Sequence, residues 1–238
     1  MTSRIWLIDM VRSLALLGMV SFHLVYDLQM FGLVPPGTAA NGWFYLHARI
    51  VAGSFLALAG VGLWLSHGDG LRWTAFWRRL AVISAAAVLV TVATYVAMPD
   101  FYVFFGILHC IALSSLLGLL FLRLPVLVTV AVGLGIIGAS YVLPPLVALD
   151  VAVLRFVGLH NYGVNTVDFE PLLPWFGPFL IGIGASKALA PWWPRLSRIQ
   201  PTGLWAALAV PGRHSLAIYL IHQPILFGLI WLYAQTRS

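Results

Sequence analysis

Charged residues are scarce in this sequence: Asp, Glu, Lys and Arg together make up 8% of its 238 residues. Soluble domains carry about 25% charged residues, so the composition excludes an ordinary soluble protein. Hydrophobic residues reach 61%, which predicts an integral membrane protein with the lipid bilayer as its partner. The net charge of +6 comes from basic residues in short loops, so it does not indicate a nucleic-acid partner.

Cysteine is nearly absent, since Cys110 is the only one in the chain. A disulfide framework or a Cys-based zinc site needs several cysteines, so both are excluded. No spacing or flanking motif supports haem ligation by histidines, so we expect neither metal nor haem. Long polar runs and linkers are lacking too, which predicts a single integral-membrane domain over residues 1–238. The first apolar stretch is too long and too polar for a signal peptide, so we expect a retained helix.

Long apolar runs are what the sequence has instead. Seven stretches are long enough to cross about 30 Å of hydrocarbon; they are 5–30, 43–66, 80–98, 104–122, 125–143, 171–190 and 213–235. They predict an all-α polytopic membrane helix bundle with about seven transmembrane helices. Two shorter apolar stretches, 145–159, which contains Asp150, and 201–211, predict interfacial or re-entrant helices.

The distribution of basic residues orients the predicted bundle. Cytoplasmic loops of membrane proteins carry an excess of Lys and Arg, and a cytoplasmic N-terminus leaves only Arg155 and Arg237 outside. The predicted topology therefore has the N-terminus in the cytoplasm and the C-terminus outside, in the inner membrane of a bacterial cell. The basic residues that this topology places inside are Arg4, Arg72, Arg78, Arg79, Arg123, Lys187, Arg195, Arg198 and Arg213.

The first predicted helix carries ionisable side chains within its apolar sequence. Asp9, Arg12, His23 and Asp27 fall on a single stripe of that helix. An ionisable group at membrane depth costs a few kcal/mol or more and by default marks a functional site. The stripe is therefore predicted to face a protein interior or a watery cleft rather than lipid.

Spacing suggests roles for these groups. His23 and Asp27 are four residues apart, and a carboxylate beside an imidazole supports a general base; the alternative is a buried polar pair that fixes helix packing. Asp9 and Arg12 are three residues apart and can form an ion pair, or Arg12 can face a phosphate from the cytoplasm. Arg49, inside the second span, is a further phosphate candidate unless it snorkels to the interface.

Other spans supply candidates for a substrate pocket. The last span carries Ser215, Tyr219 and His222 on one stripe, with Gln223 beside them and Pro224 to kink the helix. The alternative for His222 is a satisfied core residue.

Two further candidates lie outside the last span. His109 stands near the outer end of the fourth span. Asp168 and Glu170 lie in the external segment His160–Glu170, before the sixth span, where they either bind a sugar or amine acceptor or remain solvated loop charges.

Five stretches of the chain carry a resemblance to known proteins: RIWLIDMVRSLA (4–15), FHLVYDL (22–28), GILHCIAL (106–113), PLLPWFG (171–177) and SLAIYLIHQP (215–224). Together they resemble membrane acyltransferases. The chain looks most like bacterial relatives of the heparan-alpha-glucosaminide N-acetyltransferase catalytic domain, within the wider acyltransferase-3-like enzymes. Ser13 stands where these families usually carry glycine.

The resemblance implies an activity. In such families an acyl group from cytoplasmic acyl-CoA passes to a sugar, glycan or other hydroxyl or amine acceptor at or across the membrane. It implies acetyl-CoA or another acyl-CoA as co-substrate, with Asp9 and Arg12 at the end where CoA arrives and His23 as base or transient acyl carrier. A homo-oligomer remains open.

Three other readings remain open from the residues alone. The histidines and acids of the spans could relay protons or bind an ion in a transporter. His23 and His109 lie at similar predicted depth and could ligate haem in an electron carrier. The chain could also be a structural subunit without chemistry of its own.

Overall fold

The computed structural model describes residues 4–146, 151–159 and 163–236. Asp150, His160 and Arg237, which figured in the predicted topology, lie outside these described residues. The described chain is all-helical, with 76% helix and no strand; its one β contact is an isolated bridge between Phe105 and Phe169. The predicted fold class is thereby confirmed.

The described residues form ten α-helices, joined by short 3-10 turns at Leu119–Phe121, Ala152–Val157 and Ala190–Trp192. In chain order they are α1 (Trp6–Met30), α2 (Gly42–His67), α3 (Trp73–Ala97), α4 (Ile107–Gly118), α5 (Val126–Leu146), α6 (Leu172–Ala188), α7 (Trp193–Leu196), α8 (Gly203–Leu208), α9 (Val210–Arg213) and α10 (Ser215–Gln235).

Five of the helices are long and apolar enough to cross a membrane: α1, α2, α3, α5 and α10. A sixth candidate is α6 taken together with Ala190–Leu196, a pair bent by 54°. The remaining predicted span, 104–122, contains a shorter apolar helix, Ile107–Phe121. The chain is thus a multi-pass membrane protein, while the count of seven spans and the orientation of the termini remain predictions.

The chain divides into two compact units. The terminal unit comprises Met1–Phe55 and Pro191–Ser238, and the central unit comprises Leu56–Ala190. The division falls within α2, whose two parts belong to different units. The single functional domain expected from the sequence remains a prediction.

Helix α1 organises the terminal unit by packing against α8, α9 and α10. Its end is set by Gly32, whose φ of +68° suits glycine. The Leu33 amide then donates to the carbonyl oxygen of Leu28 at 2.8 Å, and the Gly32 amide donates to the carbonyl oxygen of Gln29 at 3.0 Å. This is a Schellman arrangement, which satisfies carbonyls that the helix end leaves open.

Helix α6 packs closely against α2 in the central unit. A Cβ on Gly60 of α2 would overlap the carbonyl oxygen of Phe179, and one on Gly182 would overlap that of Ala57. Small residues that let backbones approach in this way are the usual means of packing helices in membranes, where the hydrophobic effect does not favour one contact over another.

A lysine caps the segment that follows α4 in the central unit, where the 3-10 turn Leu119–Phe121 ends. The Nζ atom of Lys187 donates to the carbonyl oxygens of Phe121 and Leu124, both at 2.6 Å, and to the hydroxyl of Thr129 at 3.1 Å. Carbonyls at a helix end have no intrahelical partner, and a cation satisfies them well. All three ammonium protons of Lys187 are therefore used in hydrogen bonds within the protein.

Candidate active site

Asp27 lies in the last turn of α1 with its side chain fully removed from solvent, at 0% exposure. Gln223 of α10 donates from Nε2 to Asp27 Oδ1 at 2.8 Å. The second carboxylate oxygen, Oδ2, is buried and has no hydrogen-bond partner. One amide therefore holds the carboxylate in place while half of its accepting capacity stays open.

His23 lies one turn before Asp27 and faces a second histidine. The ring centroids of His23 and His222 are 5.0 Å apart, with the planes inclined by 61°. The rings of Phe22 and Tyr26, on the same helix, both contact His23 edge-on. On α10, Nδ1 of His222 lies 2.7 Å from the carbonyl oxygen of Tyr219.

We call His23, Asp27, His222 and Gln223 the histidine cluster. Each of the four leaves one buried polar atom without a hydrogen-bond partner. Buried polar groups are normally hydrogen-bonded, because an unsatisfied one costs about 1–3 kcal/mol. Here four such atoms lie close together on two helices that contact each other, α1 and α10. A ligand site has free hydrogen-bonding groups of this kind before its ligand binds. The atoms are His23 Nδ1, Asp27 Oδ2, His222 Nε2 and Gln223 Oε1.

The predicted pairing of His23 with Asp27 takes a different form from that expected. Among the described residues no hydrogen bond joins the two side chains, and Asp27 binds Gln223 instead. The i, i+4 spacing places both groups on one helix face, but the second imidazole of α10 stands against His23. The roles assigned to His23 and Asp27 remain predictions.

A second group of charged side chains surrounds Asp9 near the start of α1. We call Arg4, Asp9, Arg12 and Arg213 the arginine cluster. Asp9 is 1% exposed and forms ion pairs with Arg4 at 2.5 Å, Arg12 at 3.1 Å and Arg213 at 3.8 Å. The ion pair inferred from the i, i+3 spacing of Asp9 and Arg12 is present. Three guanidinium charges against one carboxylate leave two positive charges in excess.

The backbone of α9 lies directly against α1 at this point. The Gly212 amide donates to the hydroxyl of Ser13 at 2.7 Å, and Ser13 donates to the Asp9 carbonyl oxygen at 3.1 Å. A Cβ on Gly212 would overlap that same carbonyl. Ser13, the departure from the family pattern, thus fastens α9 to α1 and brings Arg213 to Asp9.

Arg49, the third residue predicted at the cofactor site, lies on α2. Its Nη1 donates to the hydroxyl of Tyr45 at 3.3 Å, and its guanidinium lies over that ring, 5.5 Å from the centroid. A Cβ on Gly18 would contact Val51 and His47, so this part of α2 faces the middle of α1. Gly18, in the middle of α1, is about 14 Å from Asp9 along the helix axis at 1.5 Å per residue.

The remaining predicted pocket residues belong to the central unit. Asp168 Oδ2 accepts the Ile107 amide at 3.1 Å, which caps the first turn of α4. The Glu170 amide donates to the carbonyl oxygen of Phe105 at 3.1 Å. Asp168 therefore has a structural partner 61 residues away, which its sequence context did not indicate.

Both ring nitrogens of His109 have partners. Nδ1 accepts the Gly106 amide at 3.2 Å, so the proton of the neutral ring is on Nε2, 3.3 Å from the hydroxyl of Thr91. His109 borders a cavity of about 400 Å³ in the central unit. The other residues lining that cavity are Leu80, Ser84, Ala87, Val88, Phe105, Ala112, Leu113, Leu116 and Phe156.

Arg4 and Arg213 are site residues that sequence reasoning did not select. Arg4 precedes α1 and Arg213 ends α9. Sequence reasoning used their charges only to set orientation, although Arg4 also opens the stretch 4–15 that carries the resemblance and Arg213 opens the predicted span 213–235. The one available signal was Gly212 beside Arg213, since a glycine allows the close helix approach that carries the arginine to Asp9. Among the described residues no group of three or more His, Cys, Asp or Glu side chains could hold a metal ion.

Comparison with known proteins identifies the family. The family model described as heparan-alpha-glucosaminide N-acetyltransferase, catalytic, matches residues 4–224. No curated protein and no solved structure matches the chain significantly. Because the matched region covers most of the chain, the chain belongs to this family, that of a membrane acetyltransferase catalytic domain.

Proposed function

We propose that this member of the heparan-alpha-glucosaminide N-acetyltransferase catalytic family transfers an acyl group from acyl-CoA to a hydroxyl or amine of a sugar or glycan acceptor. Acetyl is the expected acyl group, and the inner membrane of a bacterial cell the expected location. The observation that carries the proposal is the histidine cluster: two imidazoles, a carboxylate and an amide that leave four buried polar atoms without partners.

The chemistry suits this set of side chains. In acyl transfer the acceptor oxygen or nitrogen attacks the thioester carbon, a new ester or amide bond forms, and the carbon–sulfur bond breaks. A base must take the proton of the acceptor, and the CoA thiolate must receive one. Imidazole performs both steps near neutral pH, and it can also carry the acyl group covalently. His23 is the proposed base or carrier.

The arginine cluster supports acyl-CoA as the donor. Its two excess positive charges suit the phosphates of CoA, because a guanidinium binds phosphate oxygens with two parallel hydrogen bonds. Asp9 is fully occupied by its three arginines, which keeps the guanidiniums together despite their mutual repulsion. Fourteen residues of helix separate Asp9 from His23, about 21 Å at 1.5 Å per residue. An elongated donor can reach both clusters.

A radiolabel assay tests the proposal. Membranes containing the chain are incubated with [14C]acetyl-CoA, and label is measured in lipid, glycan and protein fractions. We expect label above that of membranes without the chain, and a loss of about 10²–10⁴-fold in His23→Asn, the range for a lost acid–base group. The matched control is His214→Asn, an exposed histidine at the start of α10, which we expect to transfer normally.

One result contradicts the role of His23, and a second contradicts the function itself. Transfer that persists unchanged in His23→Asn removes His23 from the reaction. Saturable proton or ion flux in liposomes without any acyl donor, lost in the same variant, assigns the cluster to a transporter instead.

A further inference from the structure

We infer that His222, through its Nε2 atom, is the general base that takes the proton from the acceptor. This inference rests on the proposed acyl transfer and assigns a role within it. Sequence reasoning placed His222 only in the pocket wall and left the base to His23. The geometry of α10 distinguishes the two imidazoles.

The hydrogen bond between His222 and Tyr219 decides the tautomer. A backbone carbonyl oxygen can only accept a hydrogen bond, so Nδ1, 2.7 Å from the Tyr219 oxygen, carries the proton. In the neutral ring Nε2 then holds a lone pair. Fixing one ring nitrogen by a carbonyl in order to prepare the other is the arrangement that catalytic and metal-binding histidines share. Nε2 is buried and has no partner of its own.

His23 lacks this preparation. Among the described residues no hydrogen bond reaches its ring, and its Nδ1 is buried without a partner. Nothing on α1 therefore selects which of its nitrogens is protonated. Its ring lies 5.0 Å from that of His222, near enough for both to contact one reacting group.

The other open atoms indicate which substrate lies against His222. Given its tautomer, His222 Nε2 can only accept, as can Gln223 Oε1 and, in the carboxylate form of Asp27, Oδ2. A thioester carbonyl offers no donor to such atoms and needs donors itself. A sugar hydroxyl or an amine supplies donors, so the three accepting atoms are matched to the acceptor rather than to acyl-CoA.

The step balances in protons and bonds. The acceptor O–H or N–H gives its proton to His222 Nε2 while its heavy atom bonds to the acyl carbon. In direct transfer the carbon–sulfur bond of the thioester breaks. If His23 carries the acyl group, a His23 nitrogen first attacks the thioester carbon, the carbon–sulfur bond breaks and the thiolate takes the proton of the other His23 nitrogen; the acceptor then breaks the carbon–nitrogen bond. The imidazolium of His222 then returns its proton to the leaving thiolate or to His23. No oxidant, metal or further reactant takes part.

The main variant is His222→Asn. The Asn amide can still donate to the Tyr219 carbonyl in place of Nδ1–H, while the accepting nitrogen is removed. With [14C]acetyl-CoA and acceptor membranes we expect kcat to fall about 10²–10⁴-fold and KM for acetyl-CoA to stay unchanged. Hydroxylamine attacks thioesters without a base, so its protein-dependent acetylation should continue at the wild-type rate.

A rescue experiment provides an independent readout. In His222→Ala, added imidazole should restore transfer, whereas pyrazole, which has the same shape but is a far weaker base, should not. Restoration by both rings to the same extent would mean that the position needs only a filled space, and would overturn the inference.

The remaining outcomes are equally decisive. Wild-type transfer by His222→Asn overturns the role of His222 and leaves the proposed acyl transfer intact. Equal loss of natural transfer and of hydroxylamine acetylation makes His222 a structural residue, which also overturns the inference. Failure of the wild-type chain to transfer acetyl to any acceptor refutes the proposed function itself, so the two failures are distinguishable.

Discussion

Asp9 and Asp27 are two buried carboxylates on one helix, at 1% and 0% exposure, with opposite surroundings. Asp9 has three guanidiniums around it. Asp27 has one neutral amide and an oxygen without a partner. Both carboxylates lie on the same stripe of α1. Asp9 belongs to a group in which its charge is fully paired, whereas Asp27 belongs to a group whose polar atoms are only partly hydrogen-bonded.

The different surroundings indicate different roles: Asp9 contributes to stability, whereas Asp27 is available for chemistry. A carboxylate that holds three arginines organises charge, and its removal leaves cations unpaired. A carboxylate with half its capacity open contributes little to stability, and the cost of its unsatisfied oxygen is met elsewhere in the fold. Four predictions test this comparison, beginning with the largest expected effect.

The largest effect concerns the two imidazoles of the histidine cluster. The double variant His23→Asn/His222→Asn should lose about 10²–10⁴-fold in kcat, no more than the slower single variant, because residues that act in one step are not additive. Steady-state transfer from [14C]acetyl-CoA measures this. Losses that multiply would mean that the two rings act independently.

The next effect concerns Asp9. In Asp9→Asn the three arginines lose their counter-charge, and the free energy of unfolding should fall by about 3 kcal/mol, the low end for breaking a buried pair. Denaturant titration of the detergent-solubilised chain, followed by helix content, measures it. A change below about 1 kcal/mol, the level of an exposed pair, would contradict the organising role of Asp9.

Arg213 should affect the donor and not the chemical step. In Arg213→Gln we expect KM for acetyl-CoA to rise about tenfold with kcat unchanged. The reason is the loss of one charged hydrogen bond, which contributes about 1.5 kcal/mol. S-acetylpantetheine lacks the phosphates of CoA, and its KM should stay the same. An equal rise for both donors would mean that Arg213 does not bind phosphate.

The smallest effect is expected at Asp27. Asp27→Asn has the same shape as Asp9→Asn, and its side-chain oxygen can still accept from Gln223. The free energy of unfolding should change by less than about 1 kcal/mol in the same denaturant titration. Equal destabilisation by the two substitutions would remove the distinction between the two carboxylates.

The helices were largely predictable, and their contacts were not. Long apolar runs specified α1, α2, α3, α5 and α10 because only a helix satisfies its own backbone in lipid. The stretch 104–122 was harder, since its helix begins only at Ile107, after Gly106. Hydropathy does not register that Asp168 caps this helix from 61 residues away.

The histidine cluster was half predictable for the same reason. His23 and Asp27 were selected because four residues of helix place them on one face, which is a local property of the chain. Gln223 reaches Asp27 from 196 residues away. The hydrogen bond from His222 to Tyr219 is local. Its functional meaning depends on the contact between the rings of His222 and His23, which only the tertiary structure shows.

The sequence alone determined the membrane class, the helical architecture and the distance between the two ends of the stripe on α1. These follow from composition and from the fixed rise of a helix. Tertiary structure alone decided that Arg213 completes the arginine cluster and that Gln223 and His222 complete the histidine cluster. The physical reason is that helical periodicity relates residues within a turn or two, whereas contacts between helices depend on close packing, here of α9 and α10 against α1.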